Sequence, residues 1–271
     1  MFALQGGSLS SLIIALPAEL TTILGAGIAA MLIGNKGSTI KHLFFSLKRL
    51  VVPDKWEKKD FLDTIILVSG LFKSLKTSGP KSIEYDIENP YESGIFACYP
   101  RLLNDKHLIH LICDTLRLFV VTSGNLNPNA IETLMDERIK SFQSYDRHSI
   151  HAIRSLAGSL PALGIVACVL GIVKTMASID QPPSVLGLLI GAALLGTFLG
   201  IFLSYGIVGP IADRLKLISD DDANIYGVVK QIAVSTLRQY PQPLVIEAAR
   251  IAVTEKFQPT FDEIFDALLD L

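Results

Sequence analysis

Charge is scarce in this sequence, and the scarcity is uneven. Charged residues make up 18% of the 271, where soluble domains carry about a quarter. The deficit comes from three apolar runs, which argues for membrane spans rather than one large soluble core. A basic surface interleaved with aromatics is also missing. The net charge is −2 and there is one Trp, so nucleic acid is not an expected partner. Cys98, Cys113 and Cys168 lack CxxC spacing, which argues against a disulfide scaffold or a zinc site and fits a reduced compartment. No GxxxxGK[ST], GxSxG, HExxH or GxGxxG motif is present, so no enzyme chemistry and no cofactor is indicated. No alternating β-branched run is long enough for a sheet. The first residues, MFALQGGSLSSLIIAL, lack the basic region and cleavage site of a signal peptide, and Gly6-Gly7-Ser8 reads as a turn.

What is there begins with two charge-free runs, Ser155–Val173 and Val185–Gly209. At 1.5 Å per residue each crosses a hydrocarbon core of roughly 30 Å. Spans are expected over 155–178 and 185–209, joined by a turn around Asp180-Gln181-Pro182-Pro183. A third span is expected over 17–34, with a start as early as Leu12 left open; on the 17–34 bounds Pro17 is in the first helical turn and Glu19 beside it complements the helix dipole. On that reading no Asp or Glu lies in the centre of any span, so either this is not an ion path or the titrating group comes from a partner. Lys36, Lys41, Lys48, Arg49, Lys55, Lys58 and Lys59 follow the first span. Arg147, Arg154, Arg214 and Lys216 flank the hairpin. These basic residues place 35–154 and 210–271 on the cytoplasmic side. Lys41–Leu50 fits either a helix along anionic headgroups or an ordinary solvated one.

The expected fold is all-α: a polytopic inner-membrane helical protein with a helical cytoplasmic domain split by the hairpin. Helical spacing marks 60–76, 107–122 and 128–142, with Gly79-Pro80 a stop and Asn127 a cap. His107/His110 and His148/His151 are spaced i,i+3 and read as surface or helix-end residues. Pro161, Gly164, Cys168, Gly171 and Thr175 share one helix face, as do Ala193, Thr197, Gly200 and Ser204. Such small stripes serve either tight packing or a narrow polar lining. Pro161 frees a carbonyl one turn earlier, and Pro210 sits at the cytoplasmic end of the next span.

Several strings extend this picture. They are Gly6-Gly7-Ser8-Leu9, Pro17-Ala18-Glu19-Leu20, Asp86-Ile87-Glu88-Asn89-Pro90, Tyr99-Pro100-Arg101, Leu160-Pro161-Ala162-Leu163-Gly164 and Gly196-Thr197-Phe198-Leu199-Gly200, with Tyr205-Gly206 and Pro210. In this order and spacing the chain resembles the MotA family of flagellar stator proteins, within the MotA/TolQ/ExbB group. The resemblance implies a pentamer around a dimer of a MotB-type subunit, whose span brings the proton-binding aspartate. Ion flow would turn the ring against the rotor protein FliG. Pro161, Cys168, Thr197 and Pro210 are then the expected ion-path and coupling residues, and Lys76 and Glu84 the rotor-facing pair. Lys stands where the family has Arg, which keeps the charge but loses the planar fork. Sodium-driven relatives carry Thr at the place of Cys168. A thiol is a poor ligand for a hard cation, so protons are expected. The family's first span would precede Gly6-Gly7, and a shortened start over 1–16 is expected. The alternative is an ExbB/TolQ-type energiser of outer-membrane processes.

Overall fold

The structure of the protein, a computed structural model, describes residues 9–122 and 126–269, with side chains from residue 16 on. The expected Gly6-Gly7-Ser8 turn lies outside the described residues. No strand occurs among them. In chain order the helices are α1 (Leu9–Gly34), α2 (Gly37–Lys48), α3 (Lys58–Ser78), α4 (Glu84–Glu88), α5 (Gly94–Ala97), α6 (Pro100–Leu103), α7 (Lys106–Val121), α8 (Pro128–Phe142), α9 (Ser144–Met176), α10 (Pro183–Phe202), α11 (Gly209–Leu237), α12 (Gln242–Ile251) and α13 (Phe261–Leu269). A π-helical segment, Leu203–Val208, joins α10 to α11. Three of these helical stretches are long and apolar enough to cross a membrane, and with the hairpin's charge-free composition they make this a membrane protein.

The chain forms two compact units, Met1–Val52 with Tyr145–Leu217 and Pro53–Ser144 with Ile218–Leu271. In the first, Ile23 of α1, Leu160 and Ala167 of α9 and Leu199 of α10 make a three-helix core. Leu43 of α2 joins Ile150, Ile153, Ala212 and Leu215 in a second cluster. Away from these cores the helices present Ile165, Val169, Leu170, Val173, Leu194 and Phe198 outward, each more than half exposed. That is the surface expected of helices whose outer face meets lipid tails. On α2, Phe44 and Phe45 are exposed beside Lys48, whose ammonium lies 5.6 Å over the Phe45 ring. Aromatics beside lysines favour the headgroup reading of this helix.

The second unit is a soluble-type core. α7 buries Leu108, Leu111, Ile112, Thr115, Leu116 and Phe119 at helical spacing. Its N-cap is Asp105, whose Oδ1 accepts the Leu108 N–H at 2.9 Å. Asn127 caps α8 by accepting the Asn129 N–H, and Pro128 opens that helix without losing a bond. α3 stops at Gly79, whose φ of 80° suits a residue without Cβ. Residues from either side of the hairpin in sequence share this core. Trp56 Nε1 donates to the Asp222 carbonyl at 3.1 Å, and Tyr226 OH donates to Asp105 Oδ2 at 2.9 Å. Asp105 is buried. Burial alone would raise its carboxyl, but Lys55 at 2.5 Å, the Leu108 N–H and Tyr226 outweigh that and hold it below the usual range.

Candidate ion-path site

Pro161 sits inside α9, which continues through it without a break. Lacking an N–H, it cannot donate to the carbonyl of Ala157 one turn back. A buried carbonyl left so is costly, and the structure supplies a donor from the next span. Ser204 Oγ donates to Ala157 O at 2.7 Å, and Ser204 is 3% exposed. Ser204 belongs to the π-helical segment, where the Gly209 N–H donates to the Ser204 carbonyl rather than in α-helical register. A π-turn is a common mark of a functional irregularity in a helix. It ends at Val208, two residues before Pro210, whose missing N–H breaks the regular ladder here. The two prolines singled out from the sequence are thus linked through one serine. Pro161 is half-buried and Pro210 exposed.

Between these points α9 and α10 cross at glycine. A Cβ placed on Gly200 would meet Leu160 O at 2.6 Å and Gly164 Cα at 2.8 Å; one on Gly171 would meet Ala193 Cβ at 2.7 Å. The two small stripes therefore pack against each other within the chain, as the packing reading has it. Cys168 is buried in this crossing, while Thr197, one residue past Gly196, is half-buried. The lateral positions are polar without charge: Thr175 Oγ1 donates back to Gly171 O at 2.9 Å.

One expectation is corrected. Sequence pattern puts Pro17 in the first turn of its span and Glu19 at the membrane edge. Instead α1 begins at Leu9, with Pro17 inside. Pro17 is accommodated as an interior proline, which moves Glu19 to the middle of the helix. There Glu19 lies against α10: a Cβ on Gly196 would be 2.8 Å from Glu19 Oε2, 3.2 Å from Ala167 Cβ and 3.3 Å from Cys168 N. Gly196 is central in the charge-free run Val185–Gly209. Lower down, Met31 of α1 packs against the cluster of Leu43, Ile150, Ile153, Ala212 and Leu215. The stretch apolar enough to cross a membrane is Leu16–Gly34, close to the expected 17–34, so Glu19 is interior to α1 yet lies in the first turn of that stretch. The earlier start left open at Leu12 is the one closer to the structure, since the apolar run Leu12 to Leu16 belongs to α1.

The other two expected residues lie in the second unit. Lys76, in the last turn of α3, and Glu84, at the start of α4, are both exposed. Lys76 borders a cavity of about 400 Å³ lined by Phe72, Leu75, Phe119 and Leu237. Nearby, Arg117 of α7 donates Nε to Glu88 Oε1 at 2.7 Å and holds that carboxyl below its ordinary range. His107 and His110 are exposed on α7, with His107 stacked on Phe142 at 4.5 Å. No group of three metal-ligating side chains occurs among the described residues.

Comparison with known proteins places most of the chain. Residues 1–79 match the Motility protein A N-terminal family, and residues 106–226 the MotA/TolQ/ExbB proton channel family. Motility protein A of Salmonella typhimurium strain LT2 is 40% identical over 263 residues, covering 97% of this chain and 88% of that one. Motility protein A of Escherichia coli K12 is 39% identical with the same coverage. The fold is also that of the flagellar MotAB stator complex from Bacillus subtilis, with a TM-score of 0.66 at 21% identity over 98% of this chain and 92% of that one. With two family models on its successive parts and near full-length likeness to those relatives, the chain belongs to the Motility protein A family.

Proposed function

We propose that the chain is a flagellar motor stator subunit that, with a MotB-type partner, conducts protons and converts the flow into torque on the rotor. The observation that carries this reading is the 40% identity to Motility protein A over 97% of the chain. The first unit supports it chemically. Its α9–α10 crossing is lined by small and weakly polar side chains, with a kink-permitting proline in one span and a π-segment before a proline in the other. These are helix features that bend rather than catalyse, and the chain's part is transport and force, not enzymatic turnover. In this reading Pro161, Cys168, Thr197 and Pro210 belong to ion movement and its coupling, and the exposed Lys76 and Glu84 meet FliG. The assembly is a pentamer around a MotB dimer in the bacterial inner membrane, with the second unit on the cytoplasmic side. Near full-length likeness to motility proteins, rather than to the channel family alone, favours the motor over an ExbB/TolQ-type role.

Expression with a MotB subunit in a stator-less flagellated host tests this. Swimming is restored, and Pro161→Leu abolishes it while the protein still reaches the membrane. Restored siderophore uptake without swimming overturns the motor reading. Proton flux in neither setting leaves only a scaffold. Swimming speed independent of external sodium is expected from Cys168, and sodium dependence overturns the proton assignment.

A further inference from the structure

The cavity beside Lys76 in the second unit has the make-up of a small-molecule site. Its volume of about 400 Å³ lies within the roughly 300–1,000 Å³ of such pockets. Its body is apolar. Phe72 and Phe119, whose rings meet edge to face at 4.8 Å, line it together with Leu75 and Leu237. Ring edges and faces of this kind suit a flat apolar ligand. Three polar residues also line it, Lys76, Thr236 and Gln239, and none of the lining residues is acidic. Each of the three is unspent. Lys76 is exposed and enters no ion pair among the described residues, and the same holds for Lys73 and Lys81, its neighbours in sequence. Thr236 is 6% exposed. Thr64, Thr115 and Thr133 each donate to a carbonyl one turn back, whereas the Thr236 hydroxyl makes no hydrogen bond among the described residues. A buried hydroxyl without a partner is uncommon, and this one is left open to the cavity its residue lines. Gln239 closes α11: its N–H donates to Thr236 O at 3.1 Å and the Tyr240 N–H to Ser235 O at 3.2 Å. Glycine is usual at that left-handed position, yet glutamine holds it, with φ 59°. Strained backbone of this kind gathers at ligand clamps. The Gln239 amide makes no hydrogen bond among the described residues either.

We infer that this cavity binds a small carboxylate with one apolar, preferably aromatic, body. The ring lies against Phe72 and Phe119. The carboxylate accepts hydrogen bonds from the Lys76 ammonium, the Gln239 amide and the Thr236 hydroxyl. Such charge-assisted bonds are the strong ones, and they give three unspent donors an acceptor. The volume favours a free molecule over a single side chain inserted by a partner protein. Binding is reversible, with no bond made or broken. It concerns the second unit alone and does not need the motor reading.

The probe is hydrocinnamate, with its neutral alcohol as the uncharged analogue. Each is titrated calorimetrically into the full chain, purified with a MotB subunit in lipid nanodiscs, and into empty nanodiscs. The native protein is expected to bind the carboxylate at least about tenfold more tightly than the alcohol, the least a hydrogen bond to a charged group contributes. Lys76→Gln is expected to erase that preference while alcohol binding stays within about twofold. Lys76→Arg, which keeps the charge, is expected to retain the preference. Thr236→Val is expected to weaken the carboxylate severalfold with thermal stability unchanged. Equal carboxylate affinity in the native and Lys76→Gln proteins overturns the site. Heats no larger than those of empty nanodiscs overturn it as well. So does capture of the rotor protein that Thr236→Val weakens when hydrocinnamate does not bind, since the cavity then takes a partner's side chain. Swimming is not read, so failure of the motor reading leaves every one of these outcomes decisive.

Discussion

Ser204→Ala is the most direct way to test how the two hairpin prolines are joined. The substitution removes one oxygen and keeps the side chain's bulk, so packing changes little. What it removes is the donor to Ala157 O, at 2.7 Å in a site where Ser204 is 3% exposed. That carbonyl has no helical donor, because the residue four positions on is Pro161. Leaving a buried acceptor unpaired costs roughly 1–3 kcal/mol in water-soluble proteins. Hydrogen bonds between membrane helices average about 0.6 and reach about 1.7 kcal/mol, since the unfolded chain in lipid also finds partners. The absence of any alternative donor places this one in the upper half of that range, about 1–1.5 kcal/mol. A double-mutant cycle isolates it. Pro161→Ala returns an N–H to α9 and lets Ala157 O close its own helical turn. In that background Ser204→Ala is expected to cost about 0.5 kcal/mol or less, giving a coupling of about 1 kcal/mol. Equilibrium unfolding of the four forms in one detergent measures it. Equal costs of Ser204→Ala in both backgrounds, within the roughly 0.3–0.5 kcal/mol expected of independent sites, refute the idea that the serine serves the proline.

Further outcomes follow from the same geometry. Gly200→Ala pushes a Cβ to 2.6 Å from Leu160 O, a backbone atom that cannot swing away. It should force α9 and α10 apart at a cost of about 1–3 kcal/mol, seen as lowered thermal stability in detergent. Gly191→Ala, with nothing within 4 Å, should be neutral in the same assay, and equal effects would count against the crossing. Asp105 is held below its ordinary carboxyl range, so its contribution is complete above the unfolded value near 3.9 and fades as pH falls through the folded value. Acid unfolding followed by tryptophan fluorescence, for which Trp56 is the sole reporter, should begin at higher pH in Asp105→Asn than in the native chain. An unmoved acid limb would show that the Lys55–Asp105 pair is idle. Burial raises the Cys113 thiol to about 12, whereas Cys98 is exposed. A maleimide at neutral pH should therefore label Cys98 rapidly and Cys113 only after unfolding, and fast labelling of Cys113 in the folded chain would contradict its place in the core.

What could be read in advance follows from which interactions repeat along a chain. α7 and α8 were legible because burial there recurs at every third and fourth residue, and a cap such as Asn127 is local. The hairpin was legible because the absence of charge over a membrane's thickness has no cheaper explanation. The start of α1 is less legible, for an equally local reason. Proline is at home in the first turn of a helix, so Pro17 reads as a start, although the residues before it, Leu12 to Leu16, are apolar and let the helix begin earlier. Ser204 was noticed only as small and polar, since nothing in its neighbourhood records that its hydroxyl meets a carbonyl 47 residues away in sequence. The stripes show the limit most sharply. Gly164 and Gly200 are spent on each other within the chain, so they are not open to a partner helix. A polar route along this unit must run beside the crossing rather than through it. The positions left partly open beside it are Pro161 and Thr197, and neither side chain is a titrating acid, so proton exchange along such a route calls for a group from outside these two spans.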